Sequence, residues 1–282
     1  MALGNGALGV NGVAPDAELV FIKIQSDANC GSPSLDGDLA GALDAMLSFK
    51  RDGNPLDIIN MSLGVGVPFA QACGRADVDL LDPGLFDALR ELREEGVQIF
   101  TSSGNNGFCD GIGLPACHPD VISVGASYDA NIGGVAFRVD TSSCSDNLNG
   151  DVGADPTTFA DKPTVYSNSA DILDIYAPAH CAFTAAPFSS TENCFGGTSS
   201  ASPFAAGVGA LVLEKNPSAD LRKVLAETGD PITEQERSTA RTKPRVNALK
   251  ALEIEEEEPE EPEDPDDDKC ERGSLFSGCG KA

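Results

Sequence analysis

The chain has 282 residues, of which 41% are apolar and 23% charged, enough for one sizeable buried core or two small ones. Its 19 basic residues against 45 acidic ones give a formal net charge of -26, which excludes a general binder of phosphate backbones. No stretch approaches the roughly 20 apolar residues that cross a bilayer, so a membrane-spanning chain is excluded as well.

Gly4-Asn5-Gly6-Ala7-Leu8-Gly9 has the spacing of a dinucleotide-binding loop. No strand precedes it and Gly12-Val13-Ala14-Pro15 follows it, so it reads as a plain loop. Val20–Ile24 is a short β-branched and aromatic run, expected as a buried strand. Leu35, Leu39, Leu43 and Met46-Leu47 recur at helical spacing, predicting an amphipathic helix that ends near Asp52-Gly53. Residues 57–62 read as a second strand, Leu85, Phe86, Leu89 and Leu92 as a helix stopped by Gly96, and residues 97–101 and 121–124 as two further strands. Alternating strands and helices predict a parallel sheet covered by helices.

Residues 130–163 are polar and show no period, which predicts a long surface insertion. Strand patterning returns over residues 166–177, and Thr198 to Leu213 is uncharged and rich in Ala, Gly and Val, as suits a helix buried on most sides. Asn216-Pro217-Ser218 is expected to cap the next helix, which carries Leu221, Val224 and Leu225. Residues 255–268 hold eleven acidic residues and three prolines. Such a run repels itself and reads as a solvated linker; it lacks the ligand spacing of a calcium loop. The expected units are residues 1–252, an acidic Pro-rich linker over 253–269, and a short Cys-containing segment over 270–282.

Nine cysteines point to an oxidising compartment. None has zinc spacing, so disulfides are expected with at least one thiol left over. Cys181 with Cys194 and Cys270 with Cys279 are the candidate pairs. Met1 to Val13 offers neither a basic residue nor the apolar core of a signal peptide, so the start and the cysteines disagree, and a missing upstream portion is expected.

Three segments carry chemistry. Gly197-Thr198-Ser199-Ser200-Ala201-Ser202-Pro203 places a serine just inside the start of a buried helix, beside unpaired N–H groups and the positive end of the dipole. That position suits an attacking hydroxyl, although the same residues alone make an ordinary helix cap. Ser102-Ser103-Gly104-Asn105-Asn106-Gly107 follows a strand, where a parallel sheet places its site, and an Asn amide there can donate to an oxyanion. Asn60-Met61-Ser62-Leu63-Gly64, at another strand end, offers backbone to an extended ligand.

Taken in order with Gly12–Ala17, Pro115-Ala116-Cys117, Val124-Gly125-Ala126, Ala177-Pro178 and Lys243–Asn247, these segments resemble the subtilisin-like serine peptidases, over roughly residues 1–252. The resemblance implies a three-layer α/β/α fold with a mostly parallel sheet, lacking its N-terminal strand and helix. It implies Ser199 as nucleophile and Asn105 as oxyanion donor. Ser62, Leu63, Gly64, Ser102, Ser103, Gly104 and Thr198 would line the substrate. A monomer acting on peptides or proteins, with no required cofactor, is implied, and with the cysteines a secreted, extracellular one; a structural calcium stays open without being indicated, while the charge excludes nucleic acid and the cysteine spacing a metal. The family's Asp-Ser/Thr-Gly and His-Gly-Thr segments are absent, and neither His118 nor His180 matches the catalytic histidine. Without a base the serine is a weak nucleophile, so this chain alone is expected to be inactive. A non-catalytic peptide binder is the alternative, and a nucleotide-binding domain a third reading.

Overall fold

The computed structural model describes residues 2, 9–24, 39–139, 148–149, 152–186, 190–234 and 240–253. Along the chain come α1 (Leu39–Arg51), β1 (Ile58–Met61), β2 (Val65–Phe69), α2 (Arg75–Val78), α3 (Leu85–Glu94), β3 (Gln98–Ser102), β4 (Ile112–Leu114) and β5 (Ile122–Ser127). The polar middle forms β6 (Val135–Arg138), β7 (Leu148–Asn149) and β8 (Val152–Asp155). Then follow β9 (Ile175–Pro178), β10 (Ala182–Ala186), β11 (Ser190–Phe195), α4 (Thr198–Lys215), α5 (Leu221–Thr228), β12 (Asp230–Thr233), β13 (Thr242–Arg245) and α6 (Ala248–Glu253).

The main sheet has the order β1-β3-β5-β9-β13-β12 and is parallel except for the β12–β13 pair. Successive residues of a strand point to opposite faces. Ile99 accordingly joins a core with Leu43 and Leu47 of α1 and Leu85, Leu89 and Leu92 of α3, while Phe100 joins Ala201, Ala205 and Val208 of α4 with Leu221 and Leu225 of α5. Helices on both faces explain why β3 and β5 are buried along their whole length. The expected three-layer α/β/α architecture is therefore present. Close approach of α4 to the sheet requires its small residues: a Cβ on Gly209 would stand 2.7 Å from Leu221 Cδ1 and 3.1 Å from Phe100 Cζ.

Several expectations need correction. Val20–Ile24 is not in the sheet; it pairs with no strand among the described residues, and Leu19, Val20 and Phe21 are exposed. The same residues line a cavity of about 1870 Å³ together with β1, the edge strand of the main sheet among the described residues. Met46 of α1 and Ala206, Gly207 and Ala210 of α4 close it from the two faces.

The segment expected as a surface insertion carries, among its described residues, an antiparallel sheet of order β6-β8-β7, anchored by the buried carboxylate of Asp155, which accepts from Lys162 Nζ at 3.0 Å, the Val165 N–H at 3.1 Å and the Tyr128 hydroxyl. Burial, with that carboxylate second, raises the Tyr128 pKa and keeps the phenol a donor. The strand expected over residues 166–177 is confined to β9, because Ser167, Asn168 and Ser169 form a buried loop. The cap of α5 is Asp220, which accepts from the N–H of Arg222 and Lys223, while Asn216 closes its own turn onto Ser218.

Cys73 and Cys117 form a disulfide that was not expected, since a separation of 44 residues carries no local signal. Cys109 and Cys181 each take part in a disulfide as well. The β10–β11 register pairs Ala182 with Phe195, so the backbones of Cys181 and Cys194 meet at one end of a hairpin; the side chain of Cys194 lies outside what is described. Cys270 and Cys279, the acidic run and residues 3–8 lie outside the described residues.

Two predictions follow from this packing. Replacing both Cys73 and Cys117 by Ser should lower unfolding stability by about 2–4 kcal/mol, read by urea titration under non-reducing conditions, because the bridge closes a long loop. His118 is buried, stacks on Phe86 with ring centroids 4.3 Å apart, accepts the Asp120 N–H at Nδ1 (3.1 Å) and therefore donates from Nε2 to Phe86 O (3.2 Å). Burial pushes its pKa below the usual 6.5. The unfolded chain then takes up the proton first, so stability present above about pH 6.5 should be lost as the pH falls toward the lowered folded value. A His118→Gln variant should flatten the stability profile over that interval.

Candidate active site

Helix α4 starts abruptly because Gly197 takes φ +81, a left-handed conformation open to glycine. Thr198, Ser199 and Ser200 are its first residues, whose N–H groups have no carbonyl a turn earlier. Thr198 N–H donates to Asn105 Oδ1 at 2.8 Å and Ser200 N–H to Gly197 O at 2.9 Å. Ser199 N–H makes no hydrogen bond to a described residue and stays free at the positive end of the dipole.

Pro203 ties this end to the sheet. It has no N–H for the carbonyl of Ser199, four residues back. That carbonyl instead accepts the Ser62 hydroxyl at 2.8 Å, just beyond β1. Ser62 Oγ in turn accepts from Asn60 Nδ2 at 3.1 Å, and Asn60 Oδ1 accepts from Ser202 Oγ at 2.7 Å. The Ser199 hydroxyl makes only a loose contact of 3.4 Å to Ser62 O. Neither histidine bonds to it: His118 is turned onto Phe86, and His180 packs against Tyr128 and Phe137.

Asn105 follows β3 and faces the start of α4. Its Oδ1 accepts from the N–H of Thr198 (2.8 Å) and from the Thr198 hydroxyl (2.9 Å). A backbone N–H can only donate, so the oxygen must be the atom on that side and the NH₂ group is turned the other way. Thr198 Oγ1 also accepts the Gly104 N–H at 3.2 Å. The amide of Asn105 is therefore held one residue before Ser199 with its polarity set by the helix.

Of the residues expected to line a substrate, Thr198 and Ser103 are fully buried and point into the fold; Thr198 orients Asn105, and Ser103 donates to Asn168 O at 3.1 Å. Ser102 is buried within β3. Leu63, Gly64 and the backbone of Gly104 remain accessible beside Ser199. Gly64 must be glycine, since a Cβ would meet Leu114 O at 2.4 Å. Sequence reasoning missed Asn168, which the Ser-Asn-Ser run disguises as an ordinary loop residue. It missed Tyr166 as well, which with Phe137, Arg138, His180, Asn105, Gly196 and Gly197 lines a second cavity of about 320 Å³. Burial lowers the pKa of His180 and keeps its ring neutral near pH 7. Among the described residues no cluster of three His, Cys, Asp or Glu side chains could hold a metal, and no helix is long and apolar enough to cross a membrane.

The model of the subtilase family matches residues 1–250. Alkaline elastase YaB of Bacillus sp. (strain YaB) is 30% identical over 214 residues, covering 76% of this chain and 43% of that protein. Serine protease AprX of Bacillus subtilis (strain 168) is 27% identical over 213 residues, covering 73% and 44%. The chain thus spans under half the length of these two relatives. Among solved structures, the patellamide maturation protease PatA superposes with a TM-score of 0.62 at 25% identity, over 89% of this chain and 79% of that one. A cold-adapted subtilisin-like serine proteinase gives 0.56 at 22% identity, over 84% and 69%, which speaks for the fold alone. The chain belongs to the subtilase family.

The support of Asn105 by Thr198 can be measured without any activity. Thr198→Val keeps the shape but removes the acceptor of the half-buried Gly104 N–H and one donor to Asn105 Oδ1, so stability should fall by about 0.5–1.5 kcal/mol. Thr198→Ser, which restores the oxygen, should recover most of that loss in the same denaturation assay.

Proposed function

We propose that this subtilase-family chain carries the nucleophile and the oxyanion hole of a serine endopeptidase, and that the base and its carboxylate partner come from a segment seated in the large cavity between Val20–Ile24 and β1. The observation that carries this reading is the fixed polarity of Asn105: its oxygen is committed to Thr198, so its NH₂ is the group left for a ligand.

A peptide substrate lies extended along Ser62–Gly64 and pairs with that backbone as an added strand. The Ser199 oxygen attacks the scissile carbonyl carbon while the base takes its proton. The C=O π pair moves onto oxygen, where the Ser199 N–H and Asn105 Nδ2 donate to it. Collapse of the tetrahedral species expels the amine, which takes the proton from the base; water then releases the acyl group by the same steps in reverse. The disulfides and the family together favour an extracellular or otherwise oxidising setting. A second reading, a non-catalytic peptide binder, is favoured by one fact: among the described residues no base touches the Ser199 hydroxyl.

A serine-reactive fluorophosphonate separates them. This chain alone should label at background, about 10⁶-fold below a complete triad. The protein extended by whatever coding sequence lies upstream should label, Ser199→Ala should abolish labelling, and Asn105→Ala should slow it about 10²–10³-fold, the range found for this kind of donor in subtilisin. An extended protein that binds peptides but never labels is the binder; labelling that survives Ser199→Ala removes both the nucleophile and the mechanism built on it.

A further inference from the structure

Asn168 is fully buried in the loop before β9, and its side-chain polar atoms are directed at one target; its carbonyl also accepts the Ser167 hydroxyl at 3.3 Å. Its Oδ1 accepts the N–H of Asn106 at 2.9 Å and of Phe108 at 3.1 Å. Its Nδ2 donates to Ser103 O at 3.0 Å and to Asn106 Oδ1 at 3.3 Å. Its own N–H donates to Gly104 O at 3.0 Å, and its carbonyl accepts the Ser103 hydroxyl at 3.1 Å. Apart from Ser167, all of these partners lie within residues 103–108, the loop that carries Asn105, yet none is Asn105.

We propose that Asn168 is a positioning residue that holds Asn105 from behind, as Thr198 holds it from the front; this rests on the reading of Asn105 as the oxyanion donor. The loop needs such support. It leaves β3 with Gly104 at φ +105 and Gly107 at φ +74, so it cannot continue a ladder, and its buried N–H and C=O groups need partners from elsewhere. A carboxamide fits because it accepts twice on one atom and donates twice on the other. An Asp of the same shape would keep the two acceptor contacts but set an oxygen against Ser103 O and Asn106 Oδ1. The fit is tight: a Cβ on Gly104 would stand 2.4 Å from Asn168 Nδ2. Gly104 is therefore glycine for the clamp as well as for its backbone angle.

The test is made on this chain, ¹⁵N-labelled, and needs no activity. In Asn168→Asp the side-chain NH₂ signals of Asn105 and the Thr198 amide signal should shift or broaden, while those of Leu225 in α5 stay in place. In Asn168→Ala the amides of Asn106 and Phe108, now without an acceptor, should exchange with solvent about tenfold faster relative to Leu225. Should Asn168→Ala not fold, Gly104→Ala supplies an independent arm, since it displaces the clamp while keeping Asn168, and it should move the same Asn105 signals. Unaltered Asn105 and Thr198 signals in Asn168→Asp and Gly104→Ala, even with lowered global stability, would show a merely structural residue and overturn the proposal. If those signals move but Asn105→Ala leaves fluorophosphonate labelling of the extended protein untouched, the positioning stands and the oxyanion reading falls.

Discussion

The start of α4 has backbone groups that its own helix cannot satisfy, and the site is organised around how they are shared out. The Thr198 N–H goes to Asn105, which fixes the direction of an amide. The Ser199 carbonyl, deprived of its helical donor by Pro203, goes to Ser62, which fixes the helix against the end of β1. The Ser199 N–H goes to nothing described and stays available. Three elements distant in sequence are thus brought to one point by main-chain hydrogen-bonding demand, and a single proline and a single threonine decide the assignment.

Much of this was legible beforehand because it depends on local pattern. The spacing of Leu39, Leu43 and Leu47, and of Leu85, Leu89 and Leu92, marks helices whose buried faces follow directly. The uncharged run after Gly197 marks a helix sunk into the core, and Ser199 and Asn105 were singled out by the family resemblance of their segments, since position alone allowed an ordinary cap and an ordinary turn. What was not legible depends on partners. The Cys73–Cys117 bridge joins residues with no shared local signal. Thr198 and Ser103 look like ligand-facing polar residues until burial shows them facing inward. Asp155 in a polar stretch gives no hint that it is the buried anchor of a small sheet, because its neutralising partners Lys162 and Tyr128 lie outside its own strand.

Val20–Ile24 shows the same limit from the other side. Its composition predicts a strand, but a strand becomes sheet only when a neighbour pairs with it, and no described strand does. Its exposed Leu19 and Phe21, the edge strand β1, and the small residues on the outer face of α4 all border one cavity. Each is individually unremarkable on a protein surface. Together they border a space beside β1, and this is where the proposed reading seats a further segment.

The two halves of the proposed chemistry are consequently unequal in what they require. The anion-stabilising half is braced by bonds within residues 103–108, Asn168 and Thr198, none of which reaches into the cavity beside β1. It is preorganised whether or not the cavity is filled, and donors fixed in advance are effective because nothing has to reorganise as charge develops. The proton-transfer half has no such support, since nothing described touches the Ser199 hydroxyl except a distant carbonyl. On the proposed reading, recognition of an extended peptide and cleavage of it are therefore separable: the first would use the backbone of Ser62–Gly64, and the second depends on what occupies the cavity beside β1.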